Sequence, residues 1–226
     1  MPLRSGKVPK DAVHHPLFAR CYTRVSERAE PWMGPHRARL LSGLSGRVIE
    51  IGAGNGLNFA HYPGTVSEVV AIEPERLLRT LAAQAALRAD VPVDVVPGAA
   101  EALPVKSEGF DAAVLSLVLC SVRDVPRALA EARRVLRPGG ELRFFEHGLA
   151  PEGRAMVTVQ RVLDRTVWPR LFGGCHVGRD PVAALRDAGF ELGDHRRLLV
   201  PEQGVRTPTS YCVAGVARRP ETTGRP

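Results

Sequence analysis

The sequence predicts an α/β protein built on a doubly wound, mostly parallel sheet with helices on both faces. Three observations carry this reading. Short apolar, β-branched runs alternate with alanine- and leucine-rich or amphipathic stretches from residue 47 to 217, and no long structureless loop interrupts them. The first of those runs, Val48, Ile49 and Ile51, stops at three glycines spaced two apart, Gly52, Gly54 and Gly56, which suits a buried strand turning sharply into a helix. In such a sheet, ligands sit outside the carboxyl ends of the strands.

Residues 11–46 precede the sheet. His14 to Tyr22 mixes aromatic and basic residues at helical spacing, Pro31 to Pro35 predicts a break, and a second helical stretch runs on to Leu44. An amphipathic helix packed on the core accounts for this pattern. His14 and His15 lie just before Pro16 in a loop and read as surface residues rather than metal ligands.

The glycine turn is the first ligand-binding candidate. Lacking Cβ atoms, its residues can take positive φ and let a ligand approach the backbone amides. Spacing excludes two nucleotide sites. A dinucleotide fingerprint would need its third glycine at position 57, where Leu57 stands, and a P-loop would need Gly-Lys-Ser/Thr where Gly56 is followed by Leu57 and Asn58. The second strand, Val69 to Ile72, ends at Glu73-Pro74, 17 residues past Gly56. A carboxylate at that strand tip can accept hydrogen bonds from both hydroxyls of a ribose; it equally suits the first turn of the helix that Pro74 and Glu75 begin.

Further along, Leu77 to Arg88 reads as a helix and Val93 to Val96 as a strand. Gly98 to Pro104 follows, where small residues allow a flat base to lie on the backbone and Glu101 can accept from an exocyclic amine; a short capped helix also fits. Phe110 to Leu119 is the most apolar strand and hence central. A helix from Val125 to Leu136 stops at Arg137-Pro138-Gly139-Gly140, which opens a strand over Glu141 to Glu146. Ala155 to Arg170 reads as a helix ended by Pro169, Leu171 to His176 as a glycine-softened turn, Asp180 to Ala188 as a helix, and Phe190 to Leu199 and Thr209 to Ala217 as closing strands.

Composition narrows the function classes. The 226 residues suit one large domain, and 44% hydrophobic residues supply a sizeable core. The net charge is +7, but three of those charges fall in residues 1–10 and two in residues 218–226; with only 5% aromatic residues, nucleic-acid binding is not indicated. No apolar run approaches the roughly 20 residues of a membrane span. Cys21, Cys120, Cys175 and Cys212 are scattered, which is neither a zinc pattern nor a disulfide framework, so a cytoplasmic setting is expected and no metal is signalled. No feature specifies an oligomeric state.

The acidic-x-Gly-x-Gly-x-Gly pattern led by Glu50, together with Glu73 and the Arg-Pro-Gly-Gly tetrapeptide, resembles class I S-adenosylmethionine-dependent methyltransferases. That resemblance implies a Rossmann-like, seven-stranded sheet whose last strand is antiparallel, with residues 1–46 as a helical lid and 47–218 as the methyltransferase domain; the basic stretch 219–226 reads as a disordered tail. The resemblance implies S-adenosylmethionine as cofactor and S-adenosylhomocysteine as product. Expected cofactor contacts are Glu50, Gly52, Ala53, Gly54, Gly56 and Asn58 in the glycine loop, then Glu73 and Pro74. Ala100 and Glu101 on the adenine side, Leu117 at the tip of the central strand, and Tyr22, with Phe18, reaching down from the lid complete the set.

Val118 to Val122, Glu146-His147 and Phe172-Gly-Gly-Cys175-His176 narrow the resemblance to small-molecule thiol S-methyltransferases of the animal methyltransferase-like group. The sequence departs from them in lacking a hydrophobic N-terminal anchor, so stable membrane insertion is not expected. A small-molecule acceptor is implied, a thiol first, with oxygen, nitrogen or carbon of a lipid, quinone or secondary metabolite second; a non-catalytic regulator that binds the cofactor is a third reading. Because a free thiol is only a few per cent ionised at neutral pH, a nearby base would help, and His147 and then His176 are the candidates. Cys120 and Cys175 read as pocket wall.

Overall fold

The computed structural model describes residues 16–150, 154–166 and 168–221; the expectations for His14, His15, the basic residues 1–10 and residues 222–226 lie outside them. Strands β1 (Gly46–Ile51), β2 (Val66–Ile72), β3 (Val93–Val96), β4 (Phe110–Ser116), β5 (Leu136–His147), β6 (Glu191–Leu199) and β7 (Tyr211–Arg218) form one sheet in the order β3-β2-β1-β4-β5-β7-β6. The first five are mutually parallel, and β7 runs antiparallel to both β5 and β6. The reversal at β1 and β4 makes a topological switch point, the place where such sheets open a crevice.

Side chains alternate across the sheet and build a core on each face. On one, Ile49, Ile51, Ile72, Leu115 and Phe144 pack under α3 (Val125–Val135) and α6 (Pro181–Asp187). On the other, Val48, Val69, Ala71, Val114 and Phe145 pack under α1 (Pro16–Leu41) and α2 (Arg76–Ala86). Acidic caps start three of these helices: Glu75 accepts from the Leu78 amide, Asp124 from Arg127, and Asp180 from Val182 and Ala183. Pro126 and Pro181 suit the first turns of α3 and α6, where their missing N–H groups cost nothing.

The expected break in α1 does not occur; the helix continues through both prolines. Pro31 and Pro35 lie four residues apart on its exposed side, so the carbonyls they leave without donors face water, while Met33, Arg37, Leu40 and Leu41 are buried against the sheet. Tertiary burial here overrides a local helix-breaking signal. The single helix expected over 155–170 is instead two, α4 (Arg154–Asp164) and α5 (Trp168–Leu171). Asp164 ends α4 with its carboxylate accepting from the Val177 and Gly178 amides, and Pro169 opens α5 rather than closing α4.

Pairing of β5 with β4 starts at Leu136, ahead of the expected Glu141, and a bulge lies opposite Asp111. Gly140 makes this approach feasible, since a Cβ there would lie 2.8 Å from the Arg137 carbonyl oxygen. Arg219, placed in a disordered tail by the sequence, donates to the Arg133 and Leu136 carbonyls and to Glu108.

Candidate active site at the carboxyl edge of the sheet

The features expected to converge do so: the glycine turn after β1, Glu73 after β2, the 98–104 turn after β3, Leu117 to Cys120 after β4 and His147 at the end of β5 all lie at the carboxyl ends of parallel strands. Gly52, Gly54 and Gly56 each take a positive φ, +75°, +59° and +82°. Their surroundings leave no room for side chains. A Cβ on Gly52 would lie 2.7 Å from Val118, and one on Gly56 would lie 2.8 Å from Ala85.

Glu73 anchors the crevice. One carboxylate oxygen accepts from the Gly54 amide at 2.8 Å and the other from the Glu75 amide at 2.8 Å, so it fixes the turn and still has lone pairs for a ligand. Burial pushes its pKa up to about 7 against these two bonds.

Glu50 and Asn58 are placed differently from expectation. Glu50 is 1% exposed and points into the core beneath α1, with its oxygens taken by Asn58 Nδ2 at 2.8 Å and Tyr62 Oη at 2.7 Å. Asn58 in turn accepts from Arg37 of α1 at 2.8 Å, and Arg37 also bonds Glu30. These residues brace the glycine turn from behind, with both Glu50 oxygens already engaged within the protein. Burial raises the Glu50 pKa to about 7 despite its bonds to Tyr62 and Asn58. The sign of the consequence is fixed: a carboxyl that ionises near 7 folded and near 4.3 unfolded contributes stability fully below about 4.3 and loses it as pH rises through 7. Glu50→Gln is therefore expected to remove roughly 2–3 kcal/mol of the fall in unfolding free energy between pH 5 and 8, read by urea denaturation at both values; an unchanged pH slope would contradict this.

Glu101 also has another use. Its Oε1 accepts from the Arg123 and Asp124 amides, at 3.0 and 3.4 Å, and its carbonyl accepts from Arg127, so the side chain ties the 98–104 turn to the start of α3. Ala100 is buried and Pro74 is partly exposed. Leu117 adopts φ +59°, and its amide donates to the Phe145 carbonyl at 2.7 Å.

The amino-terminal half of α1 covers the glycine turn. Tyr22 Oη would lie 3.2 Å from a Cβ on Gly54, Asn55 donates to Ser26 at 3.2 Å, and Phe18 packs against Tyr22 with ring centres 5.9 Å apart. Phe18 also fills the space over Gly173, where a Cβ would come within 2.3 Å of its ring. Gly173→Val is expected to displace Phe18 and loosen the cover, so that the partly exposed Tyr22 becomes more accessible to solvent; tyrosine fluorescence quenching with and without bound S-adenosylhomocysteine measures it, and unchanged quenching would refute the contact's importance.

Beside this turn lies a cluster not anticipated from the sequence. The ligand-capable atoms of Cys120, His147 and Cys175 all lie within 4.8 Å of one another, with Cys175 Sγ 3.5 Å from His147 Nδ1. Glu146 makes it possible. That carboxylate, wholly buried, accepts from the Val118, Leu119 and Cys120 amides at 2.9, 3.0 and 3.4 Å and so fixes the loop that carries Cys120. The second loop is clamped to the first where the His176 amide donates to the Cys120 carbonyl at 2.7 Å. His176 contributes that backbone bond, but its ring is turned to the Gly174 carbonyl and lies outside the cluster.

Electrostatics within the cluster divide the two thiols. The hydrogen bond with Cys120 lowers the Cys175 pKa, aided by the nearby Trp168 indole, whereas that same bond and burial drive Cys120 well up. Burial presses His147 towards neutrality, but its bond to Cys120 and the neighbouring Glu146 carboxylate outweigh this and raise it. A cavity of about 570 Å³, walled by Leu119, Val125, Pro126 and Arg179, reaches Cys120 and His147 from the α3 and α6 side. The sequence signal for Glu146, an acid directly after Phe144-Phe145 in a buried strand, was there to be read; the meeting of Cys120 with Cys175 was not, because 55 residues separate them.

Comparison with known proteins gives a consistent result. The sequence profile of a family described as a methyltransferase domain matches residues 49–144. Thiol S-methyltransferase TMT1B of Rattus norvegicus is 31% identical over 181 residues, 77% of this chain and 72% of that protein. Thiol S-methyltransferase TMT1B of Homo sapiens is 37% identical over 158 residues, 66% of this chain and 63% of its own length. The solved structure of a SAM-dependent methyltransferase from Thermotoga maritima superposes with a TM-score of 0.65 at 22% identity, covering 90% of this chain and 98% of that one.

Proposed function

Because the chain belongs to the thiol S-methyltransferase family of class I S-adenosylmethionine-dependent methyltransferases, we propose that it methylates a small-molecule thiol at the cluster of Cys120, His147 and Cys175. The observation that carries this is the position of the cluster, at the same sheet edge as the glycine turn and reached by a cavity of a size that suits a small acceptor.

The residues present fit the cofactor. The turn at Gly52 to Gly56 leaves backbone where Cβ atoms would clash, and Glu73 offers free lone pairs at the neighbouring strand tip. When bound, S-adenosylmethionine supplies an electrophilic methyl on a sulfonium. In this reading Gly52, Ala53, Gly54 and Gly56 present the backbone to it and Glu73 accepts from the ribose hydroxyls. Pro74 and Ala100 flank the nucleoside, and Leu117 with Tyr22 closes the end towards the acceptor. Glu50, Asn58 and Glu101 hold those parts in place. His147 is the group beside which the acceptor sulfur loses its proton, and His176 is a positioning residue through its backbone. Within the expected 1–46 lid, the described part, α1 from Pro16, serves as the cover, and 47–218 as the methyltransferase domain.

Positioning dominates in-line displacement, because holding the reacting sulfur and methyl in line replaces a bimolecular encounter. A cytoplasmic setting suits thiols held side by side. No described helix is long and apolar enough to cross a membrane. The test is calorimetric titration with S-adenosylhomocysteine followed by a transfer screen over small thiols, phenols and amines. Transfer to thiols alone is expected. Transfer only to oxygen or nitrogen would move the acceptor to the alternative class, and tight binding without transfer to anything would favour a regulator.

A further inference from the structure

We infer that Cys120, His147 and Cys175 form a three-ligand zinc site whose open fourth position receives the acceptor thiol. This rests on the thiol reading above for its substrate, but the site itself is argued from the side chains alone.

The donor set comes first. Two thiols and one imidazole are the ligands of an open catalytic zinc site, in which three protein ligands leave the fourth tetrahedral position to water or substrate. Soft sulfur donors select zinc or monovalent copper over magnesium or calcium. Among the described residues this is the one group of three or more histidine, cysteine or acidic side chains whose ligand atoms converge so closely.

Geometry agrees. With Zn–S about 2.3 Å and Zn–N about 2.0–2.1 Å, tetrahedral angles place a sulfur and a nitrogen ligand about 3.6 Å apart and two sulfurs about 3.8 Å apart. Cys175 Sγ and His147 Nδ1 are separated by 3.5 Å, and all three ligand atoms fall within 4.8 Å. The widest of these separations would close by up to about 1 Å, the reach of a side-chain rotation, to receive an ion.

The surroundings hold the ligands in advance. Glu146 fixes the Cys120 loop through three amides, and Asp164 fixes the Cys175 loop through the Val177 and Gly178 amides. Gly174, at φ +89°, lets the second loop press against the Ser121 carbonyl, since a Cβ there would lie 2.7 Å from that oxygen. Preorganised ligands lose little freedom on binding a metal, and such supporting contacts are what distinguish a built site from a chance cluster.

An ion here would answer the chemical difficulty of the reaction. A coordinated thiol is deprotonated outright. The acceptor would give its proton to water as its sulfur takes the fourth position. A sulfur lone pair would then form the new S–CH3 bond as the methyl–sulfonium bond breaks, the released electron pair staying on the departing thioether sulfur. No oxidant or reductant is needed. The methylated product, a neutral thioether, is a weaker ligand than a thiolate and would leave the metal readily. His147 then acts as a ligand and not as a base.

The experiment uses the full chain, freed of metal with a chelator and reloaded with Zn2+ or Co2+. One metal per chain is expected, with sulfur-to-cobalt charge-transfer absorption and the strong visible bands of a four-coordinate ion, and a small thiol should shift those bands. Zinc should slow alkylation of Cys120 and Cys175 by about tenfold or more while exposed Cys21 reacts at an unchanged rate. Metal bound equally well by the Cys120→Ser, Cys175→Ser double variant, alkylation indifferent to zinc, or a resting Cys120–Cys175 disulfide would overturn the site. Thiol methylation that persists undiminished in chelator would overturn its role while leaving the thiol reading intact. Metal bound by the three residues with no transfer to any thiol would sink the thiol reading instead.

Discussion

Replacing Glu73 with alanine is expected to weaken binding of S-adenosylhomocysteine roughly 100- to 10,000-fold, since hydrogen bonds to a charged group contribute about 1.5–3 kcal/mol each and two ribose hydroxyls are at stake. The loss has a second part. Without the carboxylate the Gly54 and Glu75 amides lose their acceptor, and the turn that presents the backbone loses its shape. Glu73→Gln, which keeps one acceptor oxygen, should fall between. The pH dependence has a definite sign. Burial holds the free carboxyl near 7, and donors from the ribose favour its ionised form, so affinity should fall as pH drops below 7, by up to about tenfold per unit. Calorimetry at pH 6 and 8, in buffers of different protonation enthalpy, would reveal the proton released. Affinity that is flat across this range, or equal in the alanine variant, would remove Glu73 from the nucleoside site.

Glu146→Ala is expected to cost about 4 kcal/mol or more in stability, because three buried amides lose a shared acceptor at once and a cavity opens at the end of β5. For a chain of this size that corresponds to a fall in Tm of roughly 8–16 °C. Activity should fall further than stability does, since Cys120 travels with the released loop. Glu146→Gln provides the control: its oxygen can still accept from Val118 and Leu119, but its amide would face the Cys120 N–H. A variant that folds with near-normal Tm yet has lost its Cys120 environment would separate the two effects. Near-normal stability and activity in the alanine variant would show that the amides find other partners.

Local patterns made most of the sheet legible. The run Val48 to Ile51, its glycines and the Glu73-Pro74 strand end are short-range signals, and each landed where expected. Misreadings came where tertiary packing decided. Pro31 and Pro35 announce a break that burial of Met33, Arg37 and Leu40 cancels. Glu50 leads the glycine motif, the position of a ligand contact, yet the alternation of β1 turns it into the core, where partners 8 and 12 residues away take its oxygens. Glu101 likewise faces the loop before α3, a distance of more than 20 residues that no window shows. The cluster at His147 belongs to the same class of information: three residues from three loops, with no spacing to announce them.

The position of β7 has a consequence for biosynthesis. Among the described residues β6 pairs with β7 alone, and β5 has its outer edge covered by the same strand. As the chain leaves the ribosome, β1 to β5 can assemble in order, but β6 emerges with no neighbour to receive it and must wait for residues 211–218. Until then β5 presents an open row of amides and carbonyls next to His147, a template for pairing with another nascent chain. The last strand made is thus the one that shields the site-bearing strand from aggregation.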